Sequence, residues 1–253
     1  MARLEGRIAV VTGGSRGIGL ATAMAMAGEG ARVVVASRKA DGVAAAVDQI
    51  EAAHPGKAVG KVLHVGKLPT LSAFFDAVVA EVGTPDILVN NAGTNPYFGP
   101  LLGAEWPAWD KTFDVNLKGP FEMTRQFAQR AFAAGRGGSV INVSSILGQV
   151  SSPMQGIYGM TKAALISMTK TMALELGQAG IRVNAIAPGV VDTKLAAAIT
   201  SSPQLLERVK AHTALQRVAQ PSEVAGIIVF LASDEASYVT GHTYNVDGGY
   251  TVV

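Results

Sequence analysis

An apolar, β-branched run from Arg7 to Thr12 passes without interruption into Gly13-Gly14-Ser15-Arg16-Gly17-Ile18-Gly19, and then into the helix-favouring stretch Leu20 to Ala27. No other feature narrows the fold as much. A short β-branched run bounded by glycine reads as a buried strand. The order strand, glycine turn, helix opens an α/β unit in which the backbone can approach a pyrophosphate and the helix N-terminus can receive it. The spacing is Gly-x-x-x-Gly-x-Gly rather than Gly-x-Gly-x-x-Gly, so the order of elements carries more of this reading than the glycines do. A plain glycine-rich turn would share the composition.

A second strand, Arg32 to Ala36, ends at Ser37-Arg38-Lys39. Sites that hold a ribose 2′-hydroxyl place an acid about twenty residues past the glycines. Here the first acid, Asp41, lies beyond two bases. A planar guanidinium with several donors suits a 2′-phosphate. Arg38 is therefore the first candidate for that phosphate, with Ser37 and Arg16 in support, and the cofactor is read as NADP(H). The other reading makes Arg38 and Lys39 solvated loop charges.

Tyr158 and Lys162 stand four residues apart, and Ser145 lies thirteen residues before the tyrosine. A free phenol ionises near pH ~10, too high for proton transfer at neutrality. A neighbouring ammonium favours the phenolate and is expected to draw that value down. If Ile157 to Leu176 is helical, the spacing puts both side chains on one face. Ser145 can then hold a substrate oxygen against the phenol, which supplies the proton transfer that a carbonyl or carbinol oxygen needs. On an ordinary helix the same pair would be a solvated lysine and a half-buried tyrosine. A hydride carrier elsewhere in the chain is what favours the chemical reading.

Together these residues resemble the short-chain dehydrogenase/reductase family, along essentially the whole chain. Seven motifs carry the likeness in order: Thr12 to Gly19, Asn90-Asn-Ala-Gly93, Asp114-Val-Asn116, Asn142-Val-Ser-Ser145, Tyr158-Gly-Met-Thr-Lys162, Pro188-Gly189 with Thr193, and Asn245-Val-Asp-Gly-Gly249. The resemblance implies a three-layer Rossmann fold: a doubly wound, seven-stranded parallel sheet with helices on both faces, in one domain of residues 1–253. It implies Tyr158 as general acid in reduction and base in oxidation. Lys162 would tune the phenol and bond the nicotinamide ribose, Ser145 would orient the substrate oxygen, and Asn116 would hold a relay water. Gly13, Ser15, Arg16, Gly17, Ile18 and Gly19 would line the pyrophosphate, with Ser37 and Arg38 at the 2′-phosphate. A third strand is expected at Gly60 to Val65, and His64, where many relatives carry Asp or Asn, would lie with Val65 at the adenine. Asn91, Ala92 and Gly93 would run along the cofactor. Pro188, Gly189, Val190, Val191 and Thr193 would meet the nicotinamide. A helical lid is expected at about 190–215, and pocket walls at Asn95 to Phe98, Ile146 to Gln149, Met154, Gln155 and Val190. Ser-Arg-Lys after the second strand looks most like the NADP(H)-dependent carbonyl and retinal reductase branch.

The remaining sequence sets bounds. Net charge is +2, which indicates neither a nucleic-acid nor a membrane surface. The apolar runs are strand-length, the first strand begins within a few residues, and the expected compartment is the cytoplasm. The absence of cysteine excludes disulfides and thiolate chemistry, and the four histidines lack metal-ligand spacing, so no metal is expected. Trp106 and Trp109 are expected in helix packing. The stretches Pro120 to Ala134 and Ile157 to Leu176 are rich in apolar and small residues. By family analogy they pair across two-fold axes in a homotetramer. The leading function is reversible reduction of a small-molecule ketone or aldehyde. The alternatives are a 3-oxoacyl-thioester reductase acting on acyl-carrier-protein or CoA substrates, with Arg125, Arg130 and Arg136 as possible contacts, and a catalytically silent nucleotide-binding protein.

Overall fold

The first glycine turn leads into a Rossmann-like α/β fold in the computed structural model, which describes residues 2–253. Seven strands form one sheet: β1 (Ile8–Thr12), β2 (Arg32–Ser37), β3 (Ala58–Val62), β4 (Ile87–Asn90), β5 (Gly138–Val143), β6 (Ile181–Pro188) and β7 (Thr243–Val246). Their order is β3-β2-β1-β4-β5-β6-β7, and every pairing is parallel. Parallel neighbours need long crossovers, and helices supply them: α1 (Gly17–Gly28), α2 (Ala40–Ala53), α3 (Leu71–Glu81), α4 (Trp106–Phe113), α5 (Gly119–Ala133), α6 (Gly156–Leu176), α7 (Ala197–Thr200), α8 (Pro203–Ala211) and α9 (Pro221–Ala232).

The strands are apolar on both faces because both are covered. Ala9, Val11, Val33, Val35 and Ile186 face one layer, where they meet Met26, Ile50 and Ile228 of α1, α2 and α9. Val10, Val34, Leu88, Val140 and Val183 face the other and meet Phe75, Phe127 and Met172 of α3, α5 and α6. Alternation within each β-branched run thus feeds two separate cores. From β1 the chain winds outward to β3; from β4 it winds the other way to β7. The crevice beyond the carboxyl ends of β1 and β4 is where such sheets bind ligands.

Three local expectations change. The third strand occupies Ala58–Val62, not Gly60 to Val65, and His64 lies on the turn after it. There the Gly66 N–H donates to its Nδ1 at 3.1 Å. Trp106 is 75% exposed, on the outer side of α4, its ring 6.0 Å from that of Trp109. It is not packed into the interior. Between α4 and α5 the chain does not stop but widens through a π-helical turn, Asp114–Lys118, in which the Gly119 N–H donates to the Asp114 carbonyl. Such turns recur at functional sites, and this one carries Asn116. Among the described residues no helix is long and apolar enough to cross a membrane.

Candidate active site

The glycine turn is held by hydrogen bonds from the neighbouring strand. The Asn91 amide donates to the carbonyls of Thr12 and Gly13 at 2.9 and 3.2 Å. The Thr12 hydroxyl accepts from the N–H groups of Asn91 and Ala92 at 3.0 and 3.1 Å. Gly17 has φ +54°, the left-handed region that glycine enters without strain. A Cβ on Gly19 would strike the Gly13 carbonyl and the Asn91 amide. Arg16 precedes α1 in extended conformation; the helix has no side-chain cap and no acid in its first turn. Free N–H groups at a positive helix end, beside a backbone kept bare of Cβ atoms, fit a pyrophosphate.

Beside this turn lies a polar corner with basic groups. The Ser15 hydroxyl donates to that of Ser37 at 2.9 Å, and Arg38 is exposed next in sequence. Burial, together with the Arg38 guanidinium, holds His64 below the usual imidazole range. Its Nδ1 accepts a backbone proton, so the ring is neutral with the proton on Nε2. Val65 turns its side chain into the core.

The carboxyl end of β5 and the first turns of α6 bring the other groups together. The Ser144 hydroxyl donates to the Lys162 carbonyl at 2.9 Å and so ties strand to helix. The Ser145 oxygen accepts from the Leu147 N–H at 3.1 Å, and its hydroxyl lies beside the Tyr158 phenol. Buried Lys162 donates to the Val143 carbonyl at 2.7 Å, and its Nζ lies 5.5 Å from the Tyr158 ring centroid. Asn116 is fully buried; its amide exchanges hydrogen bonds of 2.8 and 2.9 Å with the Thr94 backbone and donates to the Thr161 hydroxyl at 3.2 Å.

The electrostatics differ from the sequence expectation. The ammonium was expected to draw the Tyr158 phenol down. Instead, burial pushes the phenol up to about 12, opposed by its hydrogen bond with Ser145. Burial likewise brings Lys162 down to about 8. The physical reason is that Nζ is turned to the Val143 carbonyl, and a low-dielectric site disfavours both charged forms.

A cavity of about 190 Å³ opens onto Ser145, Tyr158 and Lys162. Ile18, Asn91, Gly93, Pro188, Gly189, Val190, Val191 and Thr193 border the same space. The glycine turn, the Ser145, Tyr158 and Lys162 trio and the loop after β6 are therefore one site. Of the expected walls, Asn95, Ile146, Leu147, Gln155 and Val190 line it, whereas Pro96, Tyr97, Phe98, Gly148, Gln149 and Met154 do not. The lid contributes Leu195, Ala196, Ile199 and Val209 from a short helical turn, α7 and α8. Outside the motifs and the lid, two lining residues, Ser152 and Tyr250, are not among those expected from the sequence. Neither sits in a periodic pattern; both arrive through loops folded over the crevice. The arginines offered as contacts for an acidic carrier are each paired within the chain: Arg125 with Glu122 at 2.7 Å, Arg130 with Asp76 at 2.7 Å, and Arg136 with Asp86.

A protein-family profile described as enoyl-(acyl carrier protein) reductase matches residues 13–251. Dehydrogenase/reductase SDR family member 4 of Homo sapiens is 40% identical over 97% of this chain and 88% of its own. The 3-oxoacyl-(acyl-carrier-protein) reductase FabG of Thermotoga maritima is 39% identical over 99% of this chain and 100% of its own. Among solved structures, a gluconate 5-dehydrogenase from Burkholderia cenocepacia J2315, in complex with NADP and tartrate, superposes with a TM-score of 0.95. It is 34% identical, covering 99% of this chain and 97% of that one.

Proposed function

The chain belongs to the short-chain dehydrogenase/reductase family, and from that premise we propose that this oxidoreductase is an NADP(H)-dependent reductase of small ketones or aldehydes, reversible as an alcohol dehydrogenase. The observation that carries the reading is the shared cavity, in which a serine proton, a phenol and an ammonium lie beside a bare glycine turn. The glycine turn, Ser37, Arg38 and the loop from Pro188 to Thr193 would hold NADP(H), which would supply the hydride to the substrate carbon. Ser145 donates a hydrogen bond to the substrate oxygen and fixes its position. Tyr158 gives its proton to that oxygen in reduction and takes it back in oxidation. A phenol held neutral by burial is the acid form that reduction requires. Lys162, whose Nζ lies 5.5 Å from the phenol ring centroid, would bond the nicotinamide ribose, and Asn116 holds the widened turn behind it in place.

Arg38 gives the cofactor assignment its test. NADPH and NADH are titrated separately by cofactor fluorescence, with wild type and Arg38→Asp. NADPH should bind at least about tenfold more tightly than NADH to the wild type, and the aspartate should remove that preference, since a charge-assisted contact is worth ~1.5–3 kcal/mol. Equal binding of the two cofactors by the wild type would overturn NADP(H) dependence. Reduction of a 3-oxoacyl thioester is the second reading, favoured by the likeness to the Thermotoga maritima enzyme. A comparison of acetoacetyl thioester with simple ketones separates the two.

A further inference from the structure

Beyond β7 the chain turns back toward the cavity. Gly248 and Gly249 both have positive φ, +64° and +85°. The Asp247 carboxylate locks the turn by accepting from the Gly249 and Thr251 N–H groups at 3.0 and 2.9 Å and from the Thr251 hydroxyl at 2.7 Å. This locked turn touches both sides of the crevice. On the lid side, the Leu215 N–H donates to the Gly248 carbonyl at 3.0 Å, and a Cβ on Gly249 would lie 2.8 Å from that of Ala214. On the catalytic side, the Asn245 and Gln149 amides exchange hydrogen bonds of 2.7 and 3.0 Å, on the loop that follows Ser145. The turn delivers one side chain into the cavity, Tyr250, whose ring lies 6.3 Å from that of His212 at the end of α8.

The cavity is lined by unlike groups: Ser145 and Tyr158 are polar, whereas Leu195, Ile199, Val209 and the Tyr250 ring offer apolar surface. Ile18, Gly93, Pro188 and Gly189, which would hold the cofactor, border the same cavity, so a substrate takes only the part of it shared with the lid and Tyr250. We propose that Tyr250 is a specificity-determining residue that favours aryl ketones and aldehydes by offering an aromatic face alongside the aliphatic lid. The proposal rests on the reductase reading above and narrows its substrate class.

The test compares kcat/KM with NADPH for acetophenone, its saturated counterpart cyclohexyl methyl ketone, and butanone, in wild type, Tyr250→Leu and Tyr250→Phe. Intrinsic ketone reactivity cancels when the aryl-to-cyclohexyl ratio is compared between variants. Tyr250→Leu should lower that ratio about 3- to 10-fold, the range of one aromatic pair, with NADPH binding unchanged. Tyr250→Phe should keep it. Should the leucine variant fail to fold, Tyr250→Met, similar in size and unbranched, serves the same comparison. A ratio unmoved in the non-aromatic variants, with all three ketones turned over, would overturn the role of Tyr250 and leave the reductase reading intact. A ratio lost equally in the phenylalanine variant would overturn it too, in favour of the hydroxyl. No turnover of any ketone by wild type that binds NADPH would overturn both.

Discussion

Replacing Tyr158 by Phe removes one oxygen from the cavity and leaves the ring that packs beside Lys162. Turnover should fall by about 10²- to 10⁴-fold, the usual contribution of a positioned acid, while NADPH affinity changes little. Equal loss of both, read by steady-state kinetics and fluorescence titration, would refute the assigned role. Lys162 leaves a signature in stability as well. It titrates at about 8 in the folded chain against an ordinary 10.5. Between those values the unfolded chain holds a proton that the folded chain has released, so stability rises with pH across that window. Below about pH 8 both states are protonated, and the cost of the buried ammonium is constant. Tyr158 acts in the opposite sense, because from an ordinary 10 to about 12 only the folded chain keeps the proton, and stability falls. Urea unfolding at about pH 7.5 and about pH 9.5 should therefore show wild type gaining about 1–2 kcal/mol relative to Lys162→Met. Parallel behaviour would mean that the ammonium is solvated. The identity of the trio was legible from its spacing. Its electrostatics were not, because burial and the Val143 carbonyl are supplied by a strand nineteen residues away in sequence.

At the scale of elements, the β1–α1 turn has the least freedom. A Gly19→Ala substitution would place a methyl group against the Gly13 carbonyl and the Asn91 amide, and these are bonded to each other. The turn must shift, at an overpacking cost of about 1–3 kcal/mol in stability. Binding of NADPH should weaken by at least about tenfold in fluorescence titration, beyond any effect of the lower melting temperature. Wild-type affinity in this variant would show that the glycine turn does not hold the pyrophosphate. Alternation and β-branching made this unit readable. The π-helical turn at Asn116 left no comparable mark, since five residues that join two helices read as one continuous helix. The end of β3 was also misjudged. Leu63 and Val65 continue the apolar alternation, yet they belong to the turn after the strand, where their side chains still reach the core.

On the scale of the whole molecule, Trp106 of α4, Phe121 and Phe132 of α5, and Met160 and Leu174 of α6 leave apolar side chains uncovered. Exposed apolar surface on neighbouring helices marks an interaction site, and we propose the homotetramer as its occupant. Sedimentation at micromolar concentration should give a tetramer, and a charge introduced by Phe121→Glu should shift it to smaller species. A monodisperse wild-type monomer would sink the proposal. By itself the sequence determined the α/β class, the glycine turn between β1 and α1, and the spacing of Ser145, Tyr158 and Lys162. Each of these is written in residue type and local spacing, which act over one strand or one helix turn. Only the tertiary structure decided how strongly the trio is buried, which loop residues close the cavity, and that the last turn of the chain brings Tyr250 into it. Those outcomes depend on distant segments meeting over the crevice, and a contact between β7, the lid and the loop after β5 has no local periodicity to announce it.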